Sequence, residues 1–174
     1  MSTVDAAVQA ASAALVEALT ARSRTVATAE SLTGGLVSAA LTGVPGASVV
    51  VRGAVVAYSS EVKASVLGVD ADLLARSGSV DAGVAEQMAA GVREVMASDY
   101  GLSTTGVAGP DPAEGKPVGR VFVAVAGPVT TRVQVLDLGG DREAVRSQAV
   151  LAVLRLLGET LDLAVGEEVD SATS

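Results

Sequence analysis

Three aromatic side chains, Tyr58, Tyr100 and Phe122, are all that this 174-residue chain carries. Yet 49% of its residues are apolar. A core must therefore be assembled from Ala, Val and Leu, whose small volumes fill space only when backbones approach closely. Nineteen glycines extend that capacity. The length suits one domain with a sizeable core.

The β-branched runs and the helical periodicities alternate. Residues 4–22 read as an amphipathic helix, with Val8, Ala11, Leu15 and Leu19 on one face. Strands are expected over 25–29, 49–58, 102–105, 120–126 and 131–138, with Gly53 a bulge or close-approach point. Helices are expected over 35–42, 60–67, 71–75 and 82–97, the last capped by Asp81 and buried along Val84, Met88, Val92 and Val95. A long helix follows "GGD", with Val145, Ala149, Ala152 and Leu156 on one side. This order predicts an α/β domain of layered helices on a mixed sheet over residues 1–165. The acidic, polar stretch 166–174 reads as a disordered tail.

The chain has no Cys and no His. That removes thiol nucleophiles, Cys/His zinc sites and every Ser-His-Asp triad. The net charge is −8 and the 12 basic residues are scattered, so no nucleic-acid partner is expected. No basic segment followed by an apolar core opens the chain, so no secretory signal is read. The uncharged stretch from Ser31 to Val51 contains Pro45 and several glycines. It reads as helix, turn and strand, not a membrane span. The expected compartment is the cytoplasm, without membrane association.

Four segments carry candidate chemistry. In "TVATAESLTGG" a strand ends at Glu30 and Ser31, and Thr33, Gly34 and Gly35 lead into a helix. Helix-start N–H groups there could hold a phosphate, or an oxyanion if Ser31 attacks a carbonyl. An N-capping hydroxyl and a tight turn explain the same residues. In "YSSEVK", Lys63 is a base of the kind a histidine-free serine nucleophile needs, with Tyr58 near it. A solvated Lys63 and a core-edge Tyr58 are the plainer reading. Ser60 to Lys63 also fits S-x-x-K, but neither S-D-N nor K-T-G accompanies it. "TTGVAGP" ends a strand with Thr105, Gly106 and Gly109, where α/β folds bind ligands. In "GGDREAVRSQ", Arg142 and Arg146 stand one helical turn apart and could hold a phosphate or pair with carboxylates.

Taken together, "TAESLTGG" (28–35), "RGAVVAYSSEVKASVLGV" (52–69), "TGVAGPDPAEGKPVG" (105–119) and "GDREAVRSQA" (140–149) resemble the CinA C-terminal domain family, the nicotinamide-nucleotide amidohydrolases. The likeness runs from Val8 to Leu161. It implies a three-layer α/β/α sandwich, a homo-oligomer, and hydrolysis of nicotinamide mononucleotide to nicotinic acid mononucleotide and ammonia. It implies neither cofactor nor metal. Ser31 matches the family's nucleophile and Lys63 its base, with Tyr58 beside it. Thr105, Gly106 and Gly109 match the segment that lines the pocket, and Gly34, Gly35 and Arg142 match positions that meet the nucleotide. Thr33 is grouped with these substrate-binding positions, and Glu30 is expected to anchor the local network or a substrate hydroxyl. Relatives often carry an N-terminal domain resembling molybdopterin-binding proteins, and this sequence reads as a standalone form. Pro112 stands where relatives often have Gly. The same pocket also suits a non-catalytic nucleotide-binding or regulatory module, linked to competence and DNA damage.

Overall fold

The computed structural model describes residues 3–163 and 165, so the expected tail at 166–174 lies outside the described residues. Five strands form one mixed sheet in the order β2-β1-β3-β4-β5. They are β1 (Val26–Glu30), β2 (Val51–Val56), β3 (Tyr100–Gly106), β4 (Arg120–Ala126) and β5 (Thr131–Asp137). β1 runs parallel to both β2 and β3, whereas β4 and β5 are antiparallel additions.

Helices cover both faces. On one lie α1 (Thr3–Ala21), α2 (Leu36–Thr42) and α6 (Arg142–Thr160), joined to the sheet through Leu15, Leu19, Val37, Leu154, Val121 and Val123. On the other lie α3 (Ser60–Leu67), α4 (Ala71–Ser77) and α5 (Ala82–Val95), packed through Met88, Val92, Ala85 and Ala89 onto Ala27, Ala29, Phe122 and Ala124. The result is a three-layer α/β/α domain. Gly101 shows how small residues permit it, since a Cβ there would collide with the Ala89 carbonyl of α5.

Several boundaries differ from the sequence reading. β2 starts at Val51 because a 3-10 turn, Ala47–Val49, precedes it. Its register slips between Val26 and Ala27, leaving Arg52 as the bulged residue. A Cβ on Gly53 would press on Met96, so that glycine is also a close-approach point. The buried stripe of α5 ends at Val92, and Val95 is exposed. Helix α1 is long and apolar enough to cross a membrane, but Ala11, Leu15, Val16 and Leu19 are buried in the core shared with α6.

The chain leaves β1 for β2 on one side, then crosses to β3 on the other. The crevice beyond the ends of β1 and β3 is thus a topological switch point, where open α/β sheets bind ligands.

Candidate active site

Ser31 follows the last residue of β1. Its backbone N–H bonds the Thr104 carbonyl at 2.9 Å, fixing it to β3. The next residues turn sharply, with Gly34 at φ 60° and Gly35 at φ 101°. Arg146 from α6 clamps that turn: its Nε donates to the Leu32 carbonyl at 2.9 Å and its Nη2 to the Thr33 carbonyl at 3.0 Å. Its guanidinium is therefore engaged by the backbone.

Lys63 sits one turn into α3, which Ser59 caps by accepting the Val62 N–H. The Lys63 side chain is fully buried. Its Nζ lies 3.1 Å from Ser31 Oγ and 2.9 Å from the Ala57 carbonyl oxygen. Burial pushes the amine below its ordinary range, and the charge of Glu114 partly opposes this. A neutral amine has two N–H groups and one lone pair. With one N–H on Ala57, the lone pair can take the Ser31 proton. Ser60, the other serine of the S-x-x-K match, is exposed on α3.

A cavity of about 210 Å³ opens over Ser31, lined also by Leu32, Tyr58, Ser79, Gly106, Gly109, Asp111, Glu114 and Arg142 among others, and Lys63 reaches Ser31 from outside its wall. A larger hollow of about 430 Å³ between α1, α2 and α6 has neither a lysine nor an arginine in its wall. Chemistry therefore assigns the site to the smaller one. At its mouth Arg142 donates to the Gly109 carbonyl at 2.6 Å and to the Tyr58 hydroxyl at 3.1 Å. Tyr58 is 64% exposed, a rim residue rather than a buried relay.

Other expected site residues lie elsewhere. Glu30 is buried and accepts five hydrogen bonds: from the hydroxyls of Thr28 and Thr33, and from the N–H groups of Gly35, Val37 and Ser38. The start of α2 is therefore filled by the protein's own carboxylate. It offers no vacant phosphate or oxyanion site through those N–H groups, which corrects the sequence expectation. Thr33 is buried in the same network, within 2.7 Å of Thr104 Oγ1. Gly34 and Gly35 shape the turn and are absent from the cavity wall. Thr105 is also absent from it, and its buried hydroxyl donates to the Ser79 carbonyl at 2.7 Å.

Two residues gain roles the sequence reading did not give them. Glu114 lines the cavity and accepts from the Ser79 N–H, the Ser79 hydroxyl and the Val80 N–H. It ties the 110–117 loop to the start of α5, a pairing 35 residues apart that no local pattern announces. Arg146 clamps the Ser31 turn and does not face the cavity. Among the described residues no cluster of three or more Asp or Glu could hold a metal ion.

The profile described as the CinA C-terminal domain matches residues 8–161. A CinA-like protein of Frankia casuarinae is 52% identical over 143 residues, which cover 82% of this chain and 33% of that protein. A CinA-like protein of an Anaeromyxobacter species is 48% identical over 146 residues, covering 83% and 36%. The structure of competence damage-inducible protein A from Klebsiella pneumoniae superposes with a TM-score of 0.86 at 32% identity, covering 89% of this chain and 97% of that one. A CinA superfamily protein from Escherichia coli gives 0.86 at 29% identity, covering 88% and 90%. The chain spans about a third of the length of the curated relatives it matches. It belongs to the CinA C-terminal domain family.

Proposed function

We propose that this CinA-family domain hydrolyses the carboxamide of nicotinamide mononucleotide by a Ser-Lys mechanism, in cytoplasmic pyridine-nucleotide recycling. The observation that carries the reading is the 3.1 Å approach of a fully buried lysine amine to a serine hydroxyl beneath a cavity.

Ser31 Oγ adds to the carboxamide carbon as Lys63 Nζ takes its proton. The oxyanion falls to the N–H of Leu32, the residue after the nucleophile. Leu32 lines the cavity, and its N–H has no acceptor among the described residues. Collapse expels ammonia with the proton returned by Lys63 and leaves a Ser31 ester. Water then attacks that ester, again with Lys63 as base, releasing the acid and regenerating the hydroxyl. At the mouth, Arg142 supplies the cation for the nucleotide phosphate, and Tyr58 presents a ring face to the substrate. Gly106 and Gly109 let it approach the backbone.

The test is to incubate the purified chain with nicotinamide mononucleotide and follow ammonia and the acid product by chromatography, with Ser31→Ala as control. Serine-dependent product supports the reading. A thermal shift with the nucleotide but no product overturns it in favour of a binding module.

A further inference from the structure

Glu114 stands where a glutamate is an unfavourable choice. Ala113 and Lys116 form an isolated antiparallel bridge, and Glu114 and Gly115 turn the chain between them at φ 51° and φ 71°. A two-residue turn with both φ values positive favours Asn, Asp and Gly, so a glutamate there is strained. Its side chain is nonetheless firmly seated. Oε2 accepts from the Ser79 N–H at 2.6 Å and the Val80 N–H at 3.2 Å, and Oε1 accepts from the Ser79 hydroxyl at 3.0 Å. The seat exists because residue 78 is glycine: a Cβ there would collide with Oε2. A strained residue held in place by its surroundings at the wall of a site marks a group kept for what it does there.

The charge of that group is not offset. Among the described residues no ion pair joins Glu114 to a cation. The cavity wall sets two carboxylates, Asp111 and Glu114, against one guanidinium, and Arg142 is bonded at the mouth to the Gly109 carbonyl and the Tyr58 hydroxyl. Of the two carboxylates, Glu114 is the one whose field reaches the Lys63 amine behind Ser31. A ring whose carboxamide rests on Ser31 lies in the same field.

We propose that Glu114 is a specificity-determining residue of this site, its carboxylate selecting a positively charged pyridinium ring over a neutral one. The inference rests on the amidohydrolase reading above and deepens it. In nicotinamide mononucleotide the glycosidic bond quaternises the ring nitrogen, so a cationic ring and an anionic phosphate stand at opposite ends of one ligand. Arg142 at the mouth answers the phosphate, and Glu114 answers the ring. Binding displaces water between ring and carboxylate, which strengthens their attraction. The 1,4-dihydro form of the same nucleotide keeps the carboxamide, the ribose and the phosphate, but its ring is neutral and gains nothing from Glu114.

Calorimetric binding of these two nucleotides to Ser31→Ala, which leaves the amide intact, tests this. Ser31→Ala should bind the cationic form about tenfold more tightly, the scale of one charge pair in a partly solvated site. Adding Glu114→Gln preserves the seat, because the amide oxygen can accept both N–H groups and the amide NH2 can donate to the Ser79 hydroxyl. It should bring the two dissociation constants within about twofold of each other by weakening the cationic form alone, since only that form carries the ring charge. With Glu114 in place, the preference should also shrink between about 50 and about 500 mM salt, because this carboxylate is exposed. A glutamate that merely ties the loop would, on substitution, weaken both nucleotides equally, and that result overturns the inference. So does a preference that survives Glu114→Gln or ignores salt. Equal binding of both forms sinks the inference and spares the amidohydrolase reading. A preference for the cationic form in a wild-type protein that makes no acid product does the reverse. Binding of neither nucleotide overturns both.

Discussion

The amine of Lys63 stands 3.1 Å from the hydroxyl oxygen of Ser31, and its other hydrogen bond goes to the Ala57 carbonyl. Among the described residues no carboxylate bonds it. A lysine buried without an ion-pair partner favours its neutral form, which is the form a base requires. Lys63→Met should therefore lower turnover by about 100-fold or more, the scale of general-base catalysis. Its Tm near neutral pH should not fall, because the methionine removes a buried amine whose charged form was costly. Steady-state rates beside a thermal melt check both halves. A variant that keeps its turnover removes Lys63 from the chemistry.

The same burial sets a pH dependence of stability. The folded-state amine lies below its unfolded value of about 10.5. Between the folded and unfolded values, the unfolded chain binds the extra proton, so stability rises with pH across that window. Below the folded value the cost of charging the buried amine is fully present. Melting temperatures of wild type and Lys63→Met, taken from neutral pH upward, should converge as the wild type gains. Activity should climb through the same folded pKa. Parallel Tm curves would show that the amine is not desolvated as its burial indicates.

Glu30 gives the largest stability prediction. Its carboxylate gathers five donors, three of them backbone N–H groups at the start of α2. Glu30→Ala leaves the Val37 N–H and the Thr28 and Thr33 hydroxyls buried without that acceptor, and the part-buried Gly35 and Ser38 N–H groups unmatched, at a cost of about 3–5 kcal/mol. For a chain this size that lowers Tm by about 10 °C. Chemical denaturation measures it. A melt within a degree or two of wild type would make Glu30 dispensable to the fold and return it to the list of substrate contacts.

The contrast between Glu30 and Lys63 shows what the sequence made legible. The order of strands and helices followed from periodicity, and the strand-to-helix junction at Ser31 from its hydroxyl and glycines. The Ser31–Lys63 pairing came from the family motifs, since nothing in a 32-residue separation dictates a 3.1 Å approach. Glu30 reads in sequence as an anchor of either the local network or a substrate hydroxyl, because a carboxylate at a helix start looks the same whether it awaits a ligand or replaces one; the structure selects the network. Its five bonds depend on how tightly the Gly34-Gly35 turn folds back. Glu114's role, and the backbone carbonyls that Arg146 holds in place of a phosphate or a carboxylate, are not legible because the partners lie 34–35 and 113–114 residues away.

Arg146 can be separated from the chemistry by kinetics. It bonds two successive carbonyls of the turn that carries Ser31, a forked geometry a lysine cannot copy. Arg146→Lys should lower kcat by about 10- to 100-fold through misplacement of the nucleophile. KM should change little, since Arg146 does not line the cavity. A variant that raises KM and spares kcat would instead make Arg146 a substrate contact.

Tyr58 and Arg142 should behave in the opposite way. The Tyr58 hydroxyl accepts from Arg142 at 3.1 Å, and both residues line the mouth of the cavity. Lys63 makes neither of its two bonds to Tyr58. Tyr58→Phe keeps the ring and removes only the oxygen that orients the guanidinium. Its kcat should stay within a few-fold of wild type while KM rises modestly. Arg142→Ala removes the rim cation and its hold on the Gly109 carbonyl, so KM for the nucleotide should rise by about 10-fold or more, the scale of a charge-assisted hydrogen bond. The phosphate-free nucleoside nicotinamide riboside, as a poor substrate, provides the internal control. Its kcat/KM should be nearly indifferent to Arg142→Ala if the guanidinium serves the phosphate. Equal losses for nucleotide and nucleoside would place Arg142 in shaping the 106–110 loop and leave the phosphate to another group.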